Sequence, residues 1–208
     1  SGSNSTETAF YLCQHAQESG ADALLLVTPY YNKTSQRGLV AHYTTLAEAT
    51  DLPIIMYSVP SRTGVNIQPA TCLELSKVPN IVAIKEASGN IEQVSEIKAL
   101  CGDELDVYSG EDGLITPILS VGGIGVISVL SNIAPRYTHD LAMSYLNGDA
   151  QKSCEMQLKA LPLVRALFCE VNPIPVKEAL NMMGWNVGHC RMPLIDMTPE
   201  GEAKLAEV

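Results

Sequence analysis

The 208 residues carry 46% apolar side chains, enough to bury the core of one domain without disulfide or metal staples. The net charge of −10 comes from acids scattered along helical segments, so it argues against a nucleic-acid partner, which needs clustered Lys and Arg, but allows a small anionic substrate in a locally positive site. No apolar stretch is long enough to span a bilayer, and the polar opening SGSNSTETAF shows no signal-peptide pattern.

In chain order, SGSNST reads as a loop feeding a helix, with Ser5 or Thr6 as N-cap. Ala23–Val27 (ALLLV) is a continuous apolar run followed by the turn Thr28–Lys33. A helix-like stretch, Ser35–Thr50, leads to the run Pro53–Tyr57, and a helix over Pro69–Lys77 leads to Ile81–Lys85. A helix over Ile91–Leu100 precedes Leu105–Ser109, and one over Leu114–Val121 precedes Gly125–Val129. Runs that are largely apolar rather than alternating fit strands covered on both faces, and strands alternating with helices fit a parallel sheet. Beyond Val129 the pattern is helical only: Pro135–Leu146, Ala150–Phe168, Pro175–Met183 and Pro199–Val208, with breaks at Asn147-Gly148 and Asn172-Pro173.

The rhythm predicts an α/β fold of the (β/α)8 TIM-barrel type, and the lack of GxGxxG after a strand weakens a dinucleotide-binding sheet. Only five strands are legible, so the barrel is expected to be incomplete, with about three βα units lying upstream of the first residue. Residues 1–130 are expected to form the partial barrel, and residues 131–208 a C-terminal helical region of the same domain. The six cysteines are dispersed, with no CxxC or Cys/His metal spacing, which suits small hydrophobes in a reducing cytoplasm and predicts no metal.

Lys85 is the sharpest chemical feature: it ends the apolar run IVAI and precedes Glu86-Ala87-Ser88-Gly89. At the C-terminal end of a barrel strand a desolvated lysine offers a neutral amine to a carbonyl. The alternative is a lysine whose ammonium reaches solvent along its own stem. Tyr57 also ends a strand and can relay protons, and Arg62 in the following loop offers a planar fork for a carboxylate. A core tyrosine and an exposed loop charge are the plainer readings of these two, but their convergence with Lys85 on one barrel face favours a site. The adjacent Tyr30 and Tyr31 fit an interface or a site, and Gly110, Gly122, Gly123 and Gly125 allow close backbone approach. None of the four histidines forms a readable nucleophile motif.

Six motifs in order, TPYYNK (28–33), YSVPSRTG (57–64), IVAIKEASGN (81–90), YSGED (108–112), GGIGVISV (122–129) and NPIPVKEAL (172–180), resemble the 4-hydroxy-tetrahydrodipicolinate synthase (dihydrodipicolinate synthase) family over the whole chain. The resemblance implies a (β/α)8 barrel with a C-terminal helical extension, assembled as a homotetramer of tight dimers. It also implies condensation of pyruvate with L-aspartate 4-semialdehyde in lysine and diaminopimelate biosynthesis, with no cofactor beyond a covalent Schiff base. Lys85 matches the Schiff-base lysine, Tyr57 the tyrosine of the proton relay, and Tyr31 the tyrosine that reaches across the tight dimer. Arg62 matches the arginine that anchors the semialdehyde carboxylate, and Gly110 and Ile127 stand where backbone meets pyruvate. The family's Gly-Thr-Thr segment, which completes the relay, has no counterpart in this sequence; Thr34 replaces a proline, and Ser58 an asparagine. A related pyruvate-dependent aldolase, such as an N-acetylneuraminate lyase, and an inactive fragment that only associates with other subunits are the competing readings.

Overall fold

The structure is a computed structural model that describes residues 1–208. Helix α1 (Thr6–Glu18) starts at Ser5, whose hydroxyl accepts from the Thr8 N–H at 3.3 Å. Strand β1 (Leu24–Val27) leads to α2 (Gln36–Ala47), capped by Ser35. Strand β2 (Ile54–Ser58) is followed by the single turn α3 (Pro60–Thr63) and by α4 (Pro69–Leu75). Strand β3 (Ile81–Glu86) leads to α5 (Ile91–Cys101), where the Asn90 side chain caps the N–H groups of Glu92 and Gln93. Strand β4 (Asp106–Ser109), α6 (Ile115–Ser120) and β5 (Gly125–Val126) follow. Four helices close the chain: α7 (Pro135–Leu146), α8 (Ala150–Ala166), α9 (Ile174–Met182) and α10 (Pro199–Ala206).

The five strands are parallel and lie in the order β1-β2-β3-β4-β5. A strand order that follows the sequence without reversal is the arrangement of a (β/α) barrel; a doubly wound sheet reverses at a switch point. The sheet is therefore five consecutive strands of such a barrel.

Three expectations need correction. The last strand covers only Gly125–Val126, not Gly125–Val129. Ile127 still donates to the Ser109 carbonyl at 2.9 Å, but the N–H groups of Val129 and Leu130 turn to the Asp112 carboxylate at 3.0 and 2.8 Å. The segment after Tyr57 is not a plain loop. Pro60 supplies the fixed φ of a first helical position, and Gly64, at φ 72°, ends the turn by donating to the Pro60 carbonyl. The strands are also not covered evenly on both faces. Leu24, Leu26, Ile54 and Met56, which face the helices, are fully buried, whereas Leu25, Val27, Ile55 and Tyr57 on the other face keep partial exposure.

The chain divides into two compact units, Ser1–Gly110 with Pro117–Ile127 and Glu111–Thr116 with Ser128–Val208. In the first, the outer strand residues share their burial with Leu39, Tyr43 and Leu46 of α2, Cys72 and Leu75 of α4, and Val94 and Ile97 of α5. Each large apolar side chain taken from water there contributes about 1.5–3 kcal/mol. The Tyr43 hydroxyl inside this layer donates to the Leu26 carbonyl at 3.0 Å, tying α2 to β1. The second unit is built around Leu130, Val164, Leu167, Ile174 and Leu205. Its polar ties are the Thr116–Ser153 hydroxyl pair and the Gln157 amide, which donates to the Asp112 carbonyl. No helix is long and apolar enough to cross a membrane.

Candidate active site at the strand ends

The parallel register aligns Val27 with Tyr57, Tyr57 with Lys85, and Lys85 with Tyr108. Because strand side chains alternate, these residues form one row on the inner face. The Lys85 Nζ lies 4.3 Å from the centroid of the Tyr57 ring. That places the amine on the π face of the ring, with the phenol on the same shelf.

Gly110 sits against the stem of this lysine. Its N–H donates to the Glu86 carbonyl at 2.7 Å. A Cβ at this position would stand 2.7 Å from the Ala87 Cβ, 3.0 Å from the Glu86 oxygen and 3.2 Å from the Lys85 Cε, so only glycine fits without displacement. Ile127 hydrogen-bonds the Ser109 carbonyl, one residue before Gly110. Lys85, Tyr57 and Gly110 are thus brought into contact or near contact, with Ile127 at the adjoining strand end.

Two expected site residues lie on exposed turns. Arg62 sits on the α3 turn beyond β2 and is exposed. Tyr31 is 89% exposed, with a left-handed backbone at φ 69° that turns it toward solvent. Within one chain it is not part of the shelf.

The residues that follow the inner row face the helices. Thr28, Ser58, Glu86 and Ser109 are at most 1% exposed. Both Glu86 oxygens accept from the Ser88 N–H at 3.2 Å, and one also accepts from the Gln93 amide at 2.9 Å. The Gln93 oxygen accepts from the Asn66 amide at 2.6 Å, and the Asn66 oxygen accepts from the Ser58 hydroxyl at 3.2 Å. Gln36, at the start of α2, donates to the Asn66 carbonyl at 2.8 Å and accepts from the Thr71 hydroxyl at 2.7 Å. Sequence reasoning missed Tyr108 and this outer network. For Tyr108 the signal was available, since a two-residue period counted across the aligned strand ends puts it beside Lys85.

With the geometry in view, comparison with known proteins is decisive: the model of the dihydrodipicolinate synthetase family matches residues 1–208. This chain belongs to that family. It is 64% identical over 197 residues to a 4-hydroxy-tetrahydrodipicolinate synthase of Caldicellulosiruptor saccharolyticus, a match covering 95% of this chain and 66% of the relative. It therefore spans just under two thirds of that relative's length. The solved dihydrodipicolinate synthase of Aquifex aeolicus superposes with a TM-score of 0.96 at 45% identity, covering 99% of this chain and 71% of the other. A dihydrodipicolinate synthase of Acinetobacter baumannii, solved in complex with pyruvate, gives 0.96 at 40% identity over 99% of this chain and 71% of its own. These solved relatives thus share the fold of this chain over nearly its whole length.

Proposed function

We propose that this chain supplies the imine-forming shelf of a 4-hydroxy-tetrahydrodipicolinate synthase, a lyase that condenses pyruvate with L-aspartate 4-semialdehyde. The observation that carries the reading is the Lys85 amine over the Tyr57 ring at the C-terminal ends of parallel strands. The neutral amine adds to the pyruvate ketone, and the carbinolamine loses its hydroxyl as water to leave an imine. Tyr57, beside the amine, is the group in reach to deliver and recover the protons of those steps. Loss of a proton from the pyruvate methyl group gives an enamine, whose carbon attacks the semialdehyde aldehyde. The substrate's own amino group then displaces Lys85 from the imine carbon and closes the ring. One water leaves overall, and the lysine returns unchanged. The imine serves as the electron sink, so the chemistry calls for no metal or cofactor.

Arg62, beyond Tyr57 and open to solvent, suits the role of anchoring the semialdehyde carboxylate through a bidentate fork. Gly110 and Ile127 offer backbone against pyruvate. The exposed ring of Tyr31 suits contact with a second subunit, in keeping with a homotetramer of tight dimers. Its six free cysteines fit the reducing cytoplasm where such biosynthesis runs.

Borohydride reduction in the presence of pyruvate, followed by peptide mapping, tests the reading. A reduced pyruvate adduct on Lys85 is expected; a stable adduct on another lysine with Lys85 free would overturn it.

A further inference from the structure

We propose that Glu86 is a positioning residue for imine formation, a role that rests on the reading of Lys85 given above. It follows Lys85 on β3, so its side chain leaves the strand on the other face, toward the helices. There it holds the two strand ends that carry the amine and the phenol. One end of the network is the residue after Lys85, and the other, Ser58, is the residue after Tyr57; the two are register partners across β2 and β3. Between them runs Glu86 to Gln93 to Asn66 to Ser58, and the Ser58 hydroxyl also accepts from the Ile67 N–H at 3.2 Å.

A carboxylate that is 1% exposed carries a large desolvation cost unless its oxygens are occupied. Here they are taken by the Ser88 N–H and the Gln93 amide, which fixes the turn that leaves β3. That turn includes Gly89 at φ 74° and leads into the Asn90 cap of α5. The Glu86 carbonyl at the same time accepts from the Gly110 N–H, which sets the backbone next to the Lys85 stem. One residue therefore holds both the turn after the lysine and the backbone beside its stem. An apolar replacement would strand the Ser88 N–H and the Gln93 amide, and the turn would settle elsewhere. A shift of a fraction of an ångström at the strand end is enough to take the amine off the approach line to a ketone.

The experiment is borohydride trapping in the full chain, with the rate followed against pyruvate concentration. Glu86→Leu is compared with the conservative Glu86→Gln, with Gln93→Leu, and with the core truncation Ile97→Val as a stability control that removes no hydrogen bond. Glu86→Leu is expected to slow trapping at saturating pyruvate by about tenfold or more, with the half-saturating pyruvate concentration changed less than about threefold. Glu86→Gln keeps an oxygen for the same donors and is expected to recover to within about threefold of the parent. Hydrogen exchange at the Ser88 amide is expected to quicken in Glu86→Leu and not in Ile97→Val. Parent-like trapping in Glu86→Leu, or a slowing matched by a control of equal melting loss, overturns the positioning role while leaving the imine intact. Absence of any Lys85 adduct in the parent chain overturns the imine reading, and the positioning role with it.

Discussion

The two faces of the strand ends differ in a way that burial alone does not explain. The inner row, Val27, Tyr57, Lys85 and Tyr108, is partly exposed and holds the reactive groups on a π contact. The outer row, Thr28, Ser58, Glu86 and Ser109, is sealed under the helices, yet it is polar throughout. Polar groups are expensive to bury, and an apolar row there would pack at least as well. The difference teaches that Ser58 and Glu86, at the middle of the outer row, serve geometry. Hydrogen bonds are directional, so these two fix strand ends in a way that van der Waals packing does not.

That comparison can be broken most severely at the inner row. Lys85→Ala is expected to abolish the borohydride-trapped pyruvate adduct while leaving the melting temperature within a few degrees, because the residue lies on the partly exposed inner row. Intact trapping would remove the row's claim to chemistry. Arg62→Ala comes next. Losing a charge-assisted fork costs about 2–3 kcal/mol, so kcat/KM for the semialdehyde is expected to fall by roughly 30- to 150-fold while pyruvate trapping is unchanged. Equal loss with both substrates would assign Arg62 to general structure.

Gly110→Ala tests the contact between the rows. The added methyl meets the Ala87 Cβ and the Glu86 oxygen at 3.0 Å or less, so about 1–3 kcal/mol of stability is expected to go, together with slower trapping. Denaturant unfolding beside the trapping assay separates the two effects. Tyr43→Phe sharpens the contrast from the other side. It removes the buried hydrogen bond to the Leu26 carbonyl, on the helix side of the sheet, and is expected to cost about 1–2 kcal/mol of stability with trapping little changed.

The smallest effect concerns His42, whose imidazole is 4% exposed and receives or gives one hydrogen bond, with the Thr6 hydroxyl. Burial lowers its pKa below the ordinary 6.5, so the folded state prefers the neutral ring. The unfolded chain takes up the proton first as pH falls through about 6.5, and stability is lost below that point and kept above it. Melting curves at pH 5 and 7.5 are expected to show a smaller difference for His42→Gln than for the parent.

What was legible in the sequence follows the range of the forces involved. The alternation of strands and helices is local: apolar runs bounded by turns mark β1 to β4, and Pro135 with Asn147-Gly148 bounds α7 to the residue. Lys85 was legible because a charge at the end of an apolar run is a local anomaly. The short β5 was not, since the Asp112 carboxylate that takes the N–H groups of Val129 and Leu130 lies 17 and 18 residues earlier. The outer network escaped for the same reason. Asn66 and Gln93 are 27 residues apart, and amides scattered at such spacing carry no periodic signature. Its detection needs the register.

The α3 turn has a consequence of its own for how the chain can change. Its four residues begin at Pro60 and are closed by Gly64, and neither end lends a side chain to the shelf. Ser61 and Arg62 are exposed on it, while the reactive row rests on the strands below. On the function proposed above, a library randomised at those two positions is expected to explore acceptor preference while the strand that carries Lys85 is left unchanged.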